Sequence, residues 1–313
     1  MTRPARSVSR TKSAKSASAG RRALRLVRRR GAPRAAAPAP LSDHPSHWER
    51  PHVRMVAIAS GKGGVGKSNL AANVAVALGE LGARVLLLDA DIAQANLDLL
   101  LGVNPRYDLQ HVLSGDKSLE EIVVQGPQGV SLVPASSGVP ELSELDDYRL
   151  EVLIRGLGNL ESSADIILID AASGTSRQVL TFCLAADDVV IVTTPEMPAF
   201  SDAYAMIKLL QQRGLTRPPH LVVNAAGSAD EAEEVAHRLR LVSRRFLKLE
   251  PELWGHVPFD AAVPHAVRRQ EPVVTAFPRS PAAAAYRALA ARLWETSSDP
   301  DSPQQPLVEK LEA

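Results

Sequence analysis

The most constraining feature of the sequence is a glycine-rich loop placed between an apolar run and a helical pattern. Residues 55–59 are apolar and β-prone, and Leu70, Val74, Leu78 and Leu81 recur at roughly helical spacing after the loop. The loop fits the pattern G-x-x-x-x-G-K-[ST] and reads Gly61-Lys62-Gly63-Gly64-Val65-Gly66-Lys67-Ser68. Backbone N–H groups in such a loop surround phosphate oxygens, and the helix N-terminus adds positive dipole. Strand, loop and helix together predict a phosphate site, and a chance glycine-rich turn is the alternative.

The polar residues at the end of the loop have separate expected roles. We expect Lys67 to reach the β- and γ-phosphates of a nucleotide and the Ser68 hydroxyl to ligate Mg²⁺. Asn69, the next residue, is included in the nucleotide-binding segment.

The apolar runs predict an α/β fold with a single doubly wound, mostly parallel sheet. They are uniformly apolar rather than alternating, as expected of strands that are buried on both faces. Helical patterns separate several of them, so that strands and helices alternate along the chain. The predicted strands are residues 55–59, 85–88, 130–133, 166–169, 189–192 and 221–223, and the predicted helices are 70–81, 148–160, 202–212, 230–241 and 282–293.

The charge is divided unevenly along the chain. Residues 1–40 hold 12 of the 36 Arg and Lys residues and no acidic residue, so 24 basic residues oppose 35 acidic ones in the rest. Residues 1–50 show no hydrophobic period, and we interpret them as a disordered basic tail ahead of one domain at 53–295. This tail is either solvated or binds an anionic surface such as nucleic acid or lipid headgroups, and it also resembles a transit peptide in composition. Residues 296–313 are interpreted as a flexible acidic tail.

Cysteine content and hydropathy exclude several classes of protein. The single cysteine, Cys183, rules out intramolecular disulfides and multi-thiolate metal sites, and we expect it in the core. No apolar run reaches 18 residues, so no transmembrane segment is predicted. Both observations fit a cytoplasmic protein.

Three aspartates follow predicted strands. Asp89 and Asp91 end the run at 85–88, and Asp170 follows the run at 166–169. Carboxyl ends of parallel strands meet at the edge of the sheet where ligands bind. These carboxylates are therefore candidate ligand or metal groups, with helix capping as the alternative for Asp89 and Asp91 and an ordinary strand-end residue as the alternative for Asp170.

The second lysine of the loop, Lys62, indicates a family. With Lys62 at its start, the loop resembles that of the deviant Walker A proteins, the MinD/ParA group of ATPases. The resemblance implies ATP as ligand, slow ATP hydrolysis and an ATP-dependent homodimer in which Lys62 reaches the partner's nucleotide, as an arginine finger does. A solvated lysine in a polar loop is the alternative.

The same resemblance implies roles for the other candidate residues. Asp91 would position the attacking water, with Asn96 in the same switch segment. Asp170 would hold Mg²⁺ through water, and Asp89 would support the magnesium shell. Ala171 departs from the Ser or Thr that is common after that aspartate.

Two further positions are implied for the adenine base. Asn224, which closes the run at 221–223, would recognise the adenine edge, and Pro258 would line the base pocket. A turn-forming asparagine at a strand end is the alternative for Asn224.

Within the family, three stretches resemble the flagellar-number regulators, the FlhG (FleN/YlxH) branch. They are residues 89–102, residues 194–196 followed by 202–204, and residues 267–274. The expected function is regulation of the number or placement of flagella or another structure, in the cytoplasm or peripherally at the membrane or a cell pole. Alternatives are a ParA-like cargo-positioning ATPase that uses the basic tail on DNA, a MinD-like septum-placement ATPase and a nucleotide-binding scaffold.

Partners are less constrained by the sequence. Relatives in the FlhG branch engage a signal-recognition-type GTPase through an Asp-Gln-Ala-x-x-Leu-Arg element, which residues 1–52 lack. Residues 307–312 are short and acidic, which argues against a C-terminal membrane helix.

Overall fold

The computed structural model describes residues 53–92, 94–135, 147–215 and 217–297. The predicted basic tail at 1–50 lies outside the described residues, and so does the predicted C-terminal tail from residue 298 onwards. Residues 296 and 297 belong to the last helix rather than to a tail.

The described residues form one eight-stranded sheet with the order β3-β4-β2-β5-β1-β6-β7-β8. Every neighbouring pair is parallel except β3 and β4, which are antiparallel. The predicted doubly wound, mostly parallel sheet is therefore confirmed. The strands are β1 (Arg54–Ser60), β2 (Val85–Ala90), β3 (Val124–Gln125), β4 (Ser131–Val133), β5 (Ile166–Ser173), β6 (Asp188–Thr193), β7 (His220–Ala226) and β8 (Glu252–Pro258).

Eleven helices accompany the sheet in the described part of the chain. The longer ones cover the two faces, and the shorter ones complete the connections. They are α1 (Lys67–Glu80), α2 (Leu97–Leu101), α3 (Leu109–Leu113), α4 (Leu119–Ile122), α5 (Asp147–Leu160), α6 (Arg177–Ala185), α7 (Met197–Gln212), α8 (Ala229–Leu247), α9 (Ala262–Arg269), α10 (Val273–Ala276) and α11 (Pro281–Ser297).

The core has two layers, one on each face of the sheet. Successive residues of a strand point to opposite faces, and in β1 Met55 and Ala57 join one cluster while Val56 and Ile58 join the other. The first cluster packs beneath α5, α6, α7 and α8, and the second beneath α1 and α11. This two-sided burial explains why the central strands are apolar at every position. Cys183 lies in the first layer, buried as predicted.

Helix α1 has glycines at both ends. It begins after Gly66, whose backbone is left-handed with φ of 89°. It ends at Glu80, and the capping residue Leu81 is followed by Gly82 with φ of 90°. A left-handed residue just past a helix is a common stop signal, so the predicted end at Gly82 is confirmed.

Strand β8, at one end of the sheet, was not predicted from the sequence. Only Trp254 and Val257 of this strand are buried, and it includes Gly255, His256 and Pro258. Arginine side chains bond to carbonyls of β8 and of the residue before it: Arg240 donates to Pro251 O at 3.4 Å, and Arg292 donates to Trp254 O at 3.1 Å.

A polar cluster joins the amino ends of several strands to the last helix. Arg54 Nε donates to Asp188 Oδ2 at 2.6 Å, and another guanidinium nitrogen donates to Thr296 Oγ1 at 2.8 Å. His220 contacts Asp188 Oδ1 at 3.3 Å and stacks on Trp254. This cluster lies at the opposite edge of the sheet from the loop.

No helix in the described ranges is both long and apolar enough to cross a membrane.

Candidate functional site

The glycine-rich loop leaves the carboxyl end of β1, near the middle of the sheet. β1 lies between β5 and β6; the chain runs from β1 to β2 on one side of it, and later crosses from β5 to β6 on the other side. Ligands of open α/β sheets bind in the crevice at such a point, outside the carboxyl ends of the strands. The predicted phosphate loop therefore lies where the fold places a ligand.

Two glycines of the loop are required by close approach and backbone conformation. A Cβ built on Gly61 would lie 2.2 Å from Asp202 O of α7, which leaves no room for a side chain. A Cβ on Gly66 would lie 2.1 Å from the Asn224 amide nitrogen, and the φ of 89° also favours glycine. These glycines allow the loop to be enclosed between α7 and the end of β7.

Lys67, the first residue of α1, lies inside the site. Its ammonium Nζ is 2.5 Å from Asp170 Oδ1 and 3.3 Å from Ser68 Oγ. The side chains of Lys67 and Asp170 are 6% and 0% exposed. The structure thus brings together the loop lysine, the predicted magnesium-binding hydroxyl and the strand-end aspartate.

The Asp170 carboxylate has an unused oxygen. Oδ2 is buried and has no hydrogen-bond partner among the described residues. Burial raises the pKa of Asp170, and the Lys67 charge opposes that rise. A buried carboxylate oxygen beside a serine hydroxyl suits Mg²⁺, which protein sites hold through few side chains plus phosphate oxygens. The residues present therefore fit a magnesium ion.

Lys62 lies on the rim of the site. Its Nζ is 3.0 Å from Glu196 Oε2, where the two side chains are 37% and 67% exposed. Glu196 precedes α7, so the loop and this helix are joined at their exposed ends. The two lysines of one loop thus face different surroundings, one closed to solvent and one open.

Both carboxylate oxygens of Asp89 accept hydrogen bonds from backbone N–H groups. Oδ1 accepts from Asp91 N at 3.1 Å, and Oδ2 accepts from Asn96 N at 3.1 Å and Leu97 N at 3.2 Å. These bonds stabilise the start of α2, as expected of the capping alternative. Burial and the nearby Asp170 carboxylate raise the pKa of Asp89 to about 7. Its support of a magnesium shell stays a prediction.

Asp91 and Asn96 lie on the segment between β2 and α2. Asp91 Oδ1 accepts from Gln94 N at 3.2 Å, and Asn96 is the residue that caps α2, without a side-chain cap bond. β2 and β5 pair side by side with Asp89 opposite Asp170, so Asp91 follows the end of β2 next to the strand that carries Asp170. Asp91 is thus on the same side of the sheet as the loop.

The two predicted base-recognition residues, Asn224 and Pro258, lie near the ends of the neighbouring strands β7 and β8. Asn224 Nδ2 donates to Val65 O of the loop at 2.7 Å. Pro258 ends β8 opposite Ala226 of β7, and the next residue, Phe259, is largely exposed. Contact of Asn224 and Pro258 with adenine stays a prediction.

The remaining loop residues contact the segments on either side. Gly63 faces Ser173, and Gly174 N donates to Ser60 O at 2.8 Å. Asn69 accepts a bond from Asn73 through its carbonyl oxygen. Gly64 has a φ of 80°, and a Cβ atom built on it would have no neighbour within 4 Å.

Sequence reasoning missed the partners that position this site. Glu196 and Asp202 were noted only as marks of a branch of the family, yet one pairs with Lys62 and the other packs on Gly61. Their common signal is position, since Glu196 lies directly before α7 and Asp202 in its first half, on the helix that follows the carboxyl end of β6.

Comparison with known proteins gives a consistent result. Residues 53–219 match the family model described as an AAA domain. The chain is 38% identical to the antiactivator FleN of Pseudomonas aeruginosa, over 83% of this chain and 93% of FleN. It is 34% identical to the flagellum site-determining protein YlxH of Helicobacter pylori, over 70% of this chain and 74% of YlxH.

A solved structure shows the same fold. The septum site-determining protein MinD of Pyrococcus horikoshii, complexed with Mg-ADP, superimposes with a TM-score of 0.68 and 28% identity. The match covers 79% of this chain and 98% of that protein. The chain belongs to the MinD/ParA family of P-loop ATPases, close to the FlhG branch.

Proposed function

We propose that this chain is an ATP-dependent molecular switch that dimerises with ATP and Mg²⁺ and is reset by slow hydrolysis. Similarity to FleN and YlxH supports a role in the number or placement of flagella or of another cellular structure. We further propose that it acts in the cytoplasm, or peripherally at the membrane or a cell pole. The resulting change of partner, rather than the ADP formed, would be its output.

The observation that carries the proposal is the difference between the two lysines of the loop. Lys67 is buried against Asp170, where it can serve only a phosphate held by its own loop. Lys62 is on the open rim, in an exposed pair with Glu196 that contributes little to stability. A lysine so placed can move to a second molecule, because little holds it to its own chain.

The residues of the chain supply binding and orientation. The loop N–H groups and Lys67 would hold the phosphates, and Ser68 with Asp170 would hold Mg²⁺. Mg²⁺ bound there would neutralise charge on the phosphate oxygens. Asp91 would orient the attacking water, and Lys62 of a second chain would add positive charge at the transferring phosphoryl group.

The direct test is the oligomeric state of three proteins with ATP and with ADP, measured by size exclusion with light scattering. Wild-type protein should dimerise with ATP and return to monomer as phosphate is released. Lys62→Ala should bind ATP without hydrolysing it, and Asp91→Ala should accumulate as an ATP-bound dimer. Monomeric Asp91→Ala protein at saturating ATP would contradict the proposed mechanism.

A second function is favoured by the charge of residues 1–40. Twelve basic residues without an acidic one suit non-specific binding to nucleic acid. In this alternative the chain is a ParA-like positioning ATPase, and the tail rather than the sheet edge contacts DNA.

A further inference from the structure

The Asn224 side chain is bonded to the phosphate loop although the two are far apart in the sequence. Its amide nitrogen donates to the carbonyl oxygen of Val65 at 2.7 Å, across 159 residues. Val65 is itself buried, 5% exposed, so this bond fixes the loop from inside the protein. The loop therefore has a side-chain anchor directly before Gly66 and Lys67.

The anchored carbonyl determines the direction of the next N–H group. In a trans peptide unit the C=O and the N–H point in opposite directions. Because the Val65 carbonyl points at Asn224, the Gly66 N–H points away from it. Gly66 is also the position where any side chain would collide with the Asn224 amide, at 2.1 Å. The contact thus sets the orientation of a loop N–H of the kind that binds phosphate oxygens.

The end of β7 is shaped to direct Asn224 at the loop. The pairing of β7 with β8 shifts between Asn224 and Ala226, and Ala225 between them has a left-handed φ of 54°. A left-handed alanine is energetically costly and occurs mainly where the surrounding structure demands it. The irregularity turns the strand directly after Asn224, the residue whose side chain bonds to the loop.

The proposed base pocket lies next to the same irregularity. Ala226 pairs with Pro258, and Phe259 N donates to Ala226 O at 3.0 Å. A primary amide has two N–H donors and one acceptor oxygen. Asn224 can therefore donate one N–H to Val65 while its other N–H and its oxygen face a base.

We propose that Asn224 is a positioning residue for the phosphate loop, and that its amide links the base pocket to phosphate binding. This inference rests on the proposed nucleotide-binding function and adds a role that does not require a base. It implies that loss of the amide weakens the binding of a ligand made of phosphates alone.

The test compares Mg-ATP with Mg-tripolyphosphate, which has no base, by isothermal titration calorimetry. Asn224→Asp replaces the donor with a carboxylate that repels the Val65 carbonyl, and both ligands should weaken by about tenfold. Asn224→Ala removes the donor without adding charge, and both should weaken by roughly threefold. Thermal unfolding of each variant shows whether the fold is kept.

The matched control is Asn159→Asp, the same change at an exposed position of α5, near the opposite edge of the sheet. It should leave both affinities unchanged. An Asn224 variant that weakens ATP alone, with wild-type affinity for tripolyphosphate, would overturn the inference and leave a base contact only. Wild-type protein that retains neither ligand would instead refute the proposed function. If Asn224→Asp does not fold, the Asn224→Ala titration decides between these outcomes.

Discussion

Lys67 Nζ and Asp170 Oδ1 lie 2.5 Å apart in a site that is almost closed to solvent. Each group is costly to bury alone, and each removes part of that cost for the other. The ion pair therefore orients the lysine side chain before any phosphate arrives, and the aspartate keeps one oxygen unused. Binding of a nucleotide would exchange part of this ion pair for phosphate contacts.

Lys67→Ala should abolish nucleotide binding and also destabilise the fold. We expect a loss of at least about 100-fold in ATP affinity, because a charge-assisted contact to phosphate is removed. The fold is weakened because Asp170 is left buried without its partner. Calorimetric titration and urea unfolding measure the two effects. In Lys67→Ala with Asp170→Asn the fold should recover while binding does not, and wild-type ATP affinity in Lys67→Ala would refute the role.

Lys62→Ala should separate binding from hydrolysis. Its exposed side chain contributes little within its own chain, so we expect ATP affinity to stay within about threefold. The rate of phosphate release should fall by on the order of 10³, as when a charge supplied by a partner is lost. Lys208→Ala, an exposed lysine on α7, is the matched control and should change neither quantity. Unchanged phosphate release from Lys62→Ala would exclude a role for Lys62 in the partner's site.

Asp91→Ala should trap the ATP-bound dimer. Without a carboxylate to orient water, we expect hydrolysis to slow by about 10² or more, while the loop still binds ATP. Phosphate release and light scattering at saturating ATP measure both effects. Asp116→Ala, an exposed aspartate, is expected to behave as wild type. Hydrolysis at the wild-type rate in Asp91→Ala would assign the water to another residue.

Asp188→Ala should destabilise the protein in a pH-dependent way. Burial alone would raise the pKa of Asp188, but the His220 and Arg54 contacts outweigh it and hold that pKa below its usual range. A lowered carboxyl pKa stabilises the fold above the ordinary pKa, near 4, and this stability is lost as the pH falls through the lowered value. At pH 7 we expect the free energy of unfolding to fall by about 3 kcal/mol, since the change breaks a largely buried ion pair.

Urea unfolding of Asp188→Ala and of wild type between pH 7 and pH 3 measures this pH dependence. The difference in free energy of unfolding between the two proteins should shrink as the pH falls. Asp165→Ala breaks a surface pair with Arg84 and should have only a small effect. An equally small effect of Asp188→Ala would show that the cluster does not stabilise the fold.

Removal of residues 1–50 tests the alternative function. If the basic tail binds DNA, retention of the full-length protein should fall steeply with salt, because bound counterions are released. The shortened protein should then bind no DNA while its ATP affinity is unchanged. If the shortened protein still retains DNA, the DNA contact lies in the domain at 53–295 and not in the tail.

Much of the fold was predictable because buried parallel strands have a simple pattern. β1, β2 and β5 are apolar at successive positions, and the loop motif fixed the first strand and helix. β8 was missed because an end strand is buried only in part, and its Gly255, His256 and Pro258 are residues typical of a loop. The two-residue β3 is too short to show any period.

The sequence predicted candidate site residues but not their contacts. The loop motif contains Lys62 and Lys67, and Asp170 was predicted from its place after the apolar run at 166–169. The pairing of Lys62 with Glu196 and of Asn224 with Val65 depends on segments more than 130 residues apart. Local patterns do not report such distances, so the partners emerge only from the packed sheet.

The guanidinium groups of Arg240 and Arg292 have a consequence for the behaviour of the protein at high concentration. They bond to carbonyls of β8 and the residue before it, the groups that a foreign strand would need for pairing. Without both arginines, these carbonyls at the edge strand of the sheet would be free to pair with a strand of another chain. We therefore expect these two side chains, which lie outside the candidate nucleotide site, to oppose edge-to-edge association of the protein.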